Sequence, residues 1–149
     1  GLKIAVISSR FNEEITGNLI EGAKRILIEK GVKEKDIYLY LVPGAFEIPS
    51  VLEKILKKNS KLKYDGVLTV GCVIKGETAH FEYISAAVSN GINQISSKYG
   101  VPVSFCVLTT YNDEQAEARS RLDVCNHETN KGFEAASALL EMIDLMKKI

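Results

Sequence analysis

One stretch limits what this chain can fold into more than any other. From Gly66 to Tyr99 it reads GVLTVGCVIKGETAHFEYISAAVSNGINQISSKY. Val67 to Ile74 is apolar except for Thr69 and is broken only by Gly71, which is the composition of a strand covered on both faces in a parallel sheet. The pattern then changes abruptly. Lys75, Gly76, Glu77, Thr78 and His80 crowd a cation, a flexible backbone position, a hydroxyl and an imidazole into a short polar turn. From Phe81 the apolar positions fall at Phe81, Ile84, Val88, Ile92, Ile95 and Tyr99, which predicts a helix with one apolar face. Such a turn lies beyond the carboxyl end of a strand, where open α/β sheets bind ligands. Its free N–H groups and the helix dipole favour an anion such as phosphate.

The same strand-to-helix unit recurs along the chain. Leu2 to Ser8 reads as a first strand, Ser9 to Asn12 as a turn with Asn12 as N-cap, and Glu13 and Glu14 suit a first helical turn. That helix buries Ile15, Leu19, Ala23, Ile26 and Leu27 and stops at Gly31. A second strand, Ile37 to Val42, ends at Pro43-Gly44, and a second helix begins near Pro49 and buries Val51, Leu52, Ile55 and Leu56. Lys54, Lys57 and Lys58 form its solvated side. Gly100 and Pro102 separate the third helix from a fourth strand, Val103 to Thr109, and Asn112 with Gln115 reads as a capping box opening a fourth helix. Arg121 to Thr129 is polar and irregular. Lys131 opens a final helix with Ala136, Leu139, Leu140, Ile143 and Met146 inward.

Alternating strands and helices imply a parallel sheet with helices on both faces and right-handed crossovers. The expected architecture is α/β: a flavodoxin-like three-layer αβα sandwich with a four-stranded parallel sheet, formed by residues 1–149 as one domain. At 149 residues the chain is long enough for a sizeable core. Its 19 basic and 19 acidic side chains cancel, which argues against a nucleic-acid or membrane partner. Cys72, Cys106 and Cys125 are odd in number and widely separated, which points to a reducing compartment, the cytoplasm. No apolar run approaches a membrane span of ~20 residues, and no signal-peptide pattern precedes the first strand. The absence of a starting methionine at Gly1 leads us to expect that residues were removed upstream.

Function has to come from the turns, because this architecture hosts many activities. The turns after the first three strands emerge at one end of the sheet and gather Phe11, Asn12, Ala45 to Ile48, and Lys75 to His80. Two aromatic rings there suit a planar ligand, Glu47 can accept from hydroxyls or ring N–H groups, and His80 supplies an imidazole suited to shuttling protons. Plainer roles fit too. On spacing alone His80 suits a cap or surface position, Phe11 and Phe46 a core or a hydrophobic staple, and Glu47 a helix N-terminus. Arg119 and Lys131 read as ordinary helix charges, and Cys72 and Cys106 as small core residues. Cys125 and His127 are two potential metal ligands, too few for a site. No GxGxxG or P-loop pattern is present.

Five blocks in order resemble the lumazine synthase family: SRFN at Ser9–Asn12, VPGAFEIP at Val42–Pro49, GCVIKGETAHFEYI at Gly71–Ile84, FCVLTTYNDEQAEAR at Phe105–Arg119 and NKGFEAA at Asn130–Ala136. The resemblance implies condensation of 5-amino-6-ribitylamino-2,4(1H,3H)-pyrimidinedione with 3,4-dihydroxy-2-butanone 4-phosphate to 6,7-dimethyl-8-ribityllumazine. Phosphate and water would be released, without metal or organic cofactor. It further implies that Phe11 stacks on the pyrimidine with Asn12 beside it. Ala45, Phe46 and Glu47 would hold the ribityl chain, and backbone near Val73 and Ile74 would meet the pyrimidine edge. Glu77 and Thr78 would contribute to the phosphate site, and His80 would move protons. In the family the pocket lies between subunits of a homo-oligomer, so Phe105, Arg119 and Lys131 would come from a neighbour, Arg119 gripping phosphate and Lys131 a ring carbonyl.

The chain departs from the family pattern at several points. Ala45 stands where serine is common, Ala79 where proline is frequent, and Ala118 where glutamate commonly precedes the arginine. The segment 120–129 is longer than in capsid-forming members, which predicts a pentamer. Two other functions stay open: a non-catalytic flavin or lumazine binder, which has no need of Thr78, His80 and Arg119 together, and a riboflavin synthase of the same fold, which needs no phosphate grip. A phosphoacceptor domain is a remote third, since Ser8, Ser9 and Arg10 supply no acidic cluster.

Overall fold

The computed structural model describes residues 1–57, 60–123 and 129–149. Four parallel strands, β1 (Ile4–Ser9), β2 (Ile37–Val42), β3 (Gly66–Ile74) and β4 (Val103–Thr110), form one sheet in the order β2-β1-β3-β4. Ile4 lies opposite Ile37 on one side and Gly66 on the other, and Val67 lies opposite Val103. The two central strands are the apolar ones. β1 is buried along its whole length and β3 up to Cys72.

Among the described residues five α-helices cover the sheet: α1 (Glu13–Glu29), α2 (Ile48–Leu56), α3 (His80–Tyr99), α4 (Asp113–Ser120) and α5 (Lys131–Lys148). Side chains alternate across each strand, so the sheet feeds two cores. Ile4, Val6, Leu68 and Val70 pack with Leu19 and Leu27 of α1 and Leu139 and Ile143 of α5. Ala5, Ile7, Val67 and Val107 pack with Ile48 and Leu52 of α2 and Val88 and Ile92 of α3. The chain moves outward from β1 to β2, then returns past β1 to β3 and β4. Connections of one hand that run in opposite directions must lie on opposite faces, as α1 and the α2–α3 pair do. The strand order therefore reverses between β1 and β3, which opens a crevice at their carboxyl ends.

Some local expectations need correcting. β1 starts at Ile4 rather than Leu2, because the Lys3 amide donates to the Asp65 carboxylate at 2.8 Å. Asn12 holds the N-cap position without capping by its side chain. Met146 is 41% exposed rather than inward. Ile143 already sits over Gly66, the first residue of β3, so the last turn of α5 runs past the sheet. The Asn112 side-chain oxygen Oδ1 accepts from the Gln115 amide at 2.9 Å as predicted, but the Gln115 side chain returns to the amide of Tyr111, one residue earlier than a capping box requires. Lys58, Cys125 and His127 lie outside the described residues, as does half of the 120–129 segment, residues 124–128. Among the described residues no helix is long and apolar enough to cross a membrane.

Candidate active site

The crevice between β1 and β3 is braced by backbone that continues the sheet past its strands. The Arg10 amide donates to the Val42 carbonyl at 2.8 Å and the Phe11 amide to the Pro43 carbonyl at 3.2 Å, which ties the turn after β1 to the turn after β2. Asn12 adopts a left-handed conformation, φ 62°, tolerable for asparagine. That twist sends its side-chain amide across the crevice to donate to the Cys72 carbonyl at 3.0 Å. A third brace is the Lys75 amide on the Thr110 carbonyl at 2.8 Å. Gly71 sets the depth. A Cβ there would stand 3.3 Å from Val107 Cγ1 and 3.5 Å from Ala45 Cβ, so glycine lets the single 3-10 turn Ala45–Glu47 settle on β3.

Phe11, Ala45, Phe46, Glu47, Val73, Ile74 and His80 line a cavity of about 490 Å³ at this end of the sheet. Phe11 is 70% exposed and Phe46 59%, so neither is a core or staple residue. Both leave large apolar area open to a ligand. Glu47 is half-buried and accepts from the Gly44 amide at 2.9 Å through Oε1, which fixes its carboxylate while Oε2 remains available. Its bond at the start of the turn and its place in the cavity wall thus coexist. His80 is exposed at the first position of α3, and its amide donates to the Thr78 hydroxyl at 3.4 Å. Burial, aided by Asp113, pushes the Cys72 thiol up to about 11, so it stays a neutral thiol at neutral pH and is no nucleophile.

Phe105, Arg119 and Lys131 do not reach this cavity. They line a second one, of about 380 Å³, along the outer edge of β4, the last strand in the sheet among the described residues. Arg119 projects from the last turn of α4 and donates to its own helix carbonyl at Gln115, 3.1 Å away. Among the described residues no carboxylate pairs with it, which fits the alanine at position 118. Lys131 opens α5 and pairs with Glu134 at 2.9 Å. Glu134 lines the same cavity and was missed in the sequence, although its spacing from Lys131 is that of a helical ion pair. Ile84 and Pro43 in the first cavity were also missed, hidden as ordinary apolar and turn residues.

Asn12, Glu77 and Thr78 line neither cavity. Asn12 is a brace whose side-chain amide is already committed. Glu77 and Thr78 lie exposed in the turn leading to His80. Ala79 has φ −70°, the value a proline would impose, so its replacement of the proline leaves the turn's shape intact.

Residues 1–147 match the family described as 6,7-dimethyl-8-ribityllumazine synthase. The chain is 48% identical over 147 residues to the 6,7-dimethyl-8-ribityllumazine synthase of Helicobacter hepaticus, covering 99% of this chain and 90% of that protein. It is 48% identical, with the same coverage, to the protein of that name from Wolinella succinogenes. With the one from Campylobacter jejuni it shares 45%, over 99% of this chain and 91% of that protein.

Proposed function

The chain belongs to the 6,7-dimethyl-8-ribityllumazine synthase family, and from that membership we propose how its residues share the reaction. The enzyme, a transferase, condenses 5-amino-6-ribitylamino-2,4(1H,3H)-pyrimidinedione with 3,4-dihydroxy-2-butanone 4-phosphate, releasing phosphate and water, in the penultimate step of riboflavin biosynthesis. A non-catalytic flavin binder and a riboflavin synthase are not favoured. We assign the whole chain, 1–149, to one domain of this kind.

Phe11 stacks on the pyrimidine ring, and Phe46 with the backbone of Ala45 and Glu47 lines the ribityl chain. The alanine at 45 offers an amide in place of a hydroxyl. The free oxygen of Glu47 accepts from ribityl hydroxyls, and backbone at Val73 and Ile74 reads the pyrimidine edge. Asn12 acts on this set by bracing Phe11. Glu77, Thr78 and the amides at the start of α3 shape the phosphate site, and His80 moves protons during imine formation, phosphate elimination and ring closure. Arg119 grips phosphate, Lys131 meets a ring carbonyl and Phe105 closes the apolar wall, all three from a neighbouring subunit.

The observation that carries this reading is the division of one recognition set between two cavities of a single chain. The rings, Glu47 and His80 face one cavity, and Arg119 and Lys131 face another along a free strand edge. A second copy that lays its β4 edge against the first cavity completes the set. The test is a timed assay of both substrates that follows lumazine absorbance and phosphate release against a no-enzyme control. We expect stoichiometric acceleration. Tight riboflavin or lumazine binding without acceleration would overturn the assignment.

We propose a pentamer, on the length of the 120–129 segment. Light scattering is expected to give about five times the chain mass of 16.4 kDa, and a particle approaching a megadalton would reject it. We place the enzyme in the cytoplasm, in keeping with the unbridged thiols of Cys72 and Cys106.

A further inference from the structure

Where α2 ends and the chain returns toward β3, a cavity of about 530 Å³ is lined by Tyr40, Tyr64 and the apolar side chain of Ile55, with Lys54, Lys57 and Lys61 around it. It shares no residue with either cavity of the candidate active site. We propose that it binds a small aromatic phosphate monoester of mononucleotide size.

Charge is the first argument. Lys54, Lys57 and Lys61 have no carboxylate within ion-pair distance among the described residues. Glu53, the acid next to Lys54, is engaged by Lys98 and by the Tyr99 hydroxyl, each at 3.2 Å. Lysines near a helix C-terminus ordinarily answer the dipole, which presents only about half a negative charge. Three ammonium groups exceed that, so the cavity keeps an excess of positive charge in a chain whose total is zero.

Directional donors are the second. The hydroxyls of Tyr40 and Tyr64 are hydrogen-bonded to each other. One of the two donates in that bond, and the other retains its proton for an outside acceptor. Packing holds them in place: the Tyr64 ring meets Tyr38 and Tyr40 edge-on, with centroids 5.6 and 6.3 Å away. Burial, reinforced by the Tyr40 hydroxyl, raises the Tyr64 phenol above its usual range, so it remains protonated and can donate at neutral pH.

Size and lining are the third. The volume lies within the range of about 300–1,000 Å³ typical of small-molecule pockets and is far more than a bare phosphate needs. Ile55, Leu62 and the partly exposed Tyr40 ring offer apolar surface to a flat body, while the lysines reach its phosphate.

Calorimetric titration of the assembled enzyme with AMP, adenosine and inorganic phosphate tests the assignment. AMP is expected to bind, with adenosine and phosphate each weaker by about tenfold or more. The triple variant Lys54→Gln, Lys57→Gln, Lys61→Gln, at three exposed positions, is expected to keep the parent's circular dichroism, to weaken AMP by at least about tenfold and to leave synthase turnover unchanged. Arg119→Ala is expected to bind AMP like the parent. No AMP binding at millimolar concentration, equal binding by parent and triple variant, or loss of binding in Arg119→Ala would each overturn the site. Phosphate binding as tightly as AMP would overturn the aromatic ligand class.

Discussion

Arg119→Ala is expected to lower kcat/KM by at least as much as His80→Ala, with both losses in the range of about 10²- to 10⁴-fold. Two substrates that condense slowly unaided gain most from being held in line, and proximity can supply about 7 to 11 kcal/mol at the extreme. A guanidinium can bind a phosphate through two parallel hydrogen bonds, which fixes orientation as well as position. Arg119 is exposed at the end of α4 and, among the described residues, donates only to a carbonyl of its own helix, so it is available for that task. In the proposed mechanism His80 acts on steps that buffer and water also assist, and general acid–base help is limited to the range above. The two variants should differ in kind. Arg119→Ala raises KM for the phosphorylated substrate and slows phosphate release, while His80→Ala lowers kcat and changes the pH profile. Steady-state kinetics showing a near-normal arginine variant would overturn the ranking.

Much of this arrangement was legible in the residues, and the reasons are specific. The β3–α3 unit could be read because a run of apolar residues changes period at one polar turn, and the boundaries of β2 and β4 matched to within a residue. The gathering of Phe11, Phe46, Glu47 and His80 followed from topology alone, since parallel strands deliver their following turns to one end. What escaped was long-range polar wiring. Nothing local to Asn12 says that its amide will reach Cys72, 60 positions away, instead of capping its own helix. Nor does Met146 differ in pattern from Ile143, because its exposure depends on where the sheet ends beneath α5. The separation of Arg119 and Lys131 from the rings was expected only from the family resemblance, which assigns them to a neighbour; their local pattern does not say which side of β3 each element occupies.

Gly132→Ala is expected to be among the most destabilising single changes in the protein, costing about 3 kcal/mol or more. A Cβ at Gly132 would stand 1.9 Å from the carbonyl oxygen of Leu19, which is backbone and cannot turn aside. The crossing of α1 and α5 is locked around that contact. Asn130, 2% exposed, donates to the carbonyls of Asn18 at 3.1 Å and Ser120 at 3.0 Å and accepts from the Phe133 amide at 3.1 Å. Separating the helices to admit a methyl group would stretch several of these buried bonds together, and unsatisfied buried polar groups cost about 1–3 kcal/mol each. Asn130 lies between Ser120 and Lys131, so the same displacement moves the supports of Arg119 and Lys131, and the surviving folded fraction should also lose affinity for the phosphorylated substrate. Gly17→Ala supplies the contrast. That glycine is exposed in α1 with nothing within 4 Å of its missing Cβ, so alanine should stabilise by about 0.4–1 kcal/mol. Thermal unfolding of the two variants at matched concentration should therefore shift in opposite directions, Gly132→Ala down by about 6 °C or more and Gly17→Ala slightly up. A Gly132→Ala protein that melts with the parent would show that α5 can move without disturbing the Asn130 lock, and would remove the structural link drawn here between the helix crossing and the Arg119–Lys131 cavity.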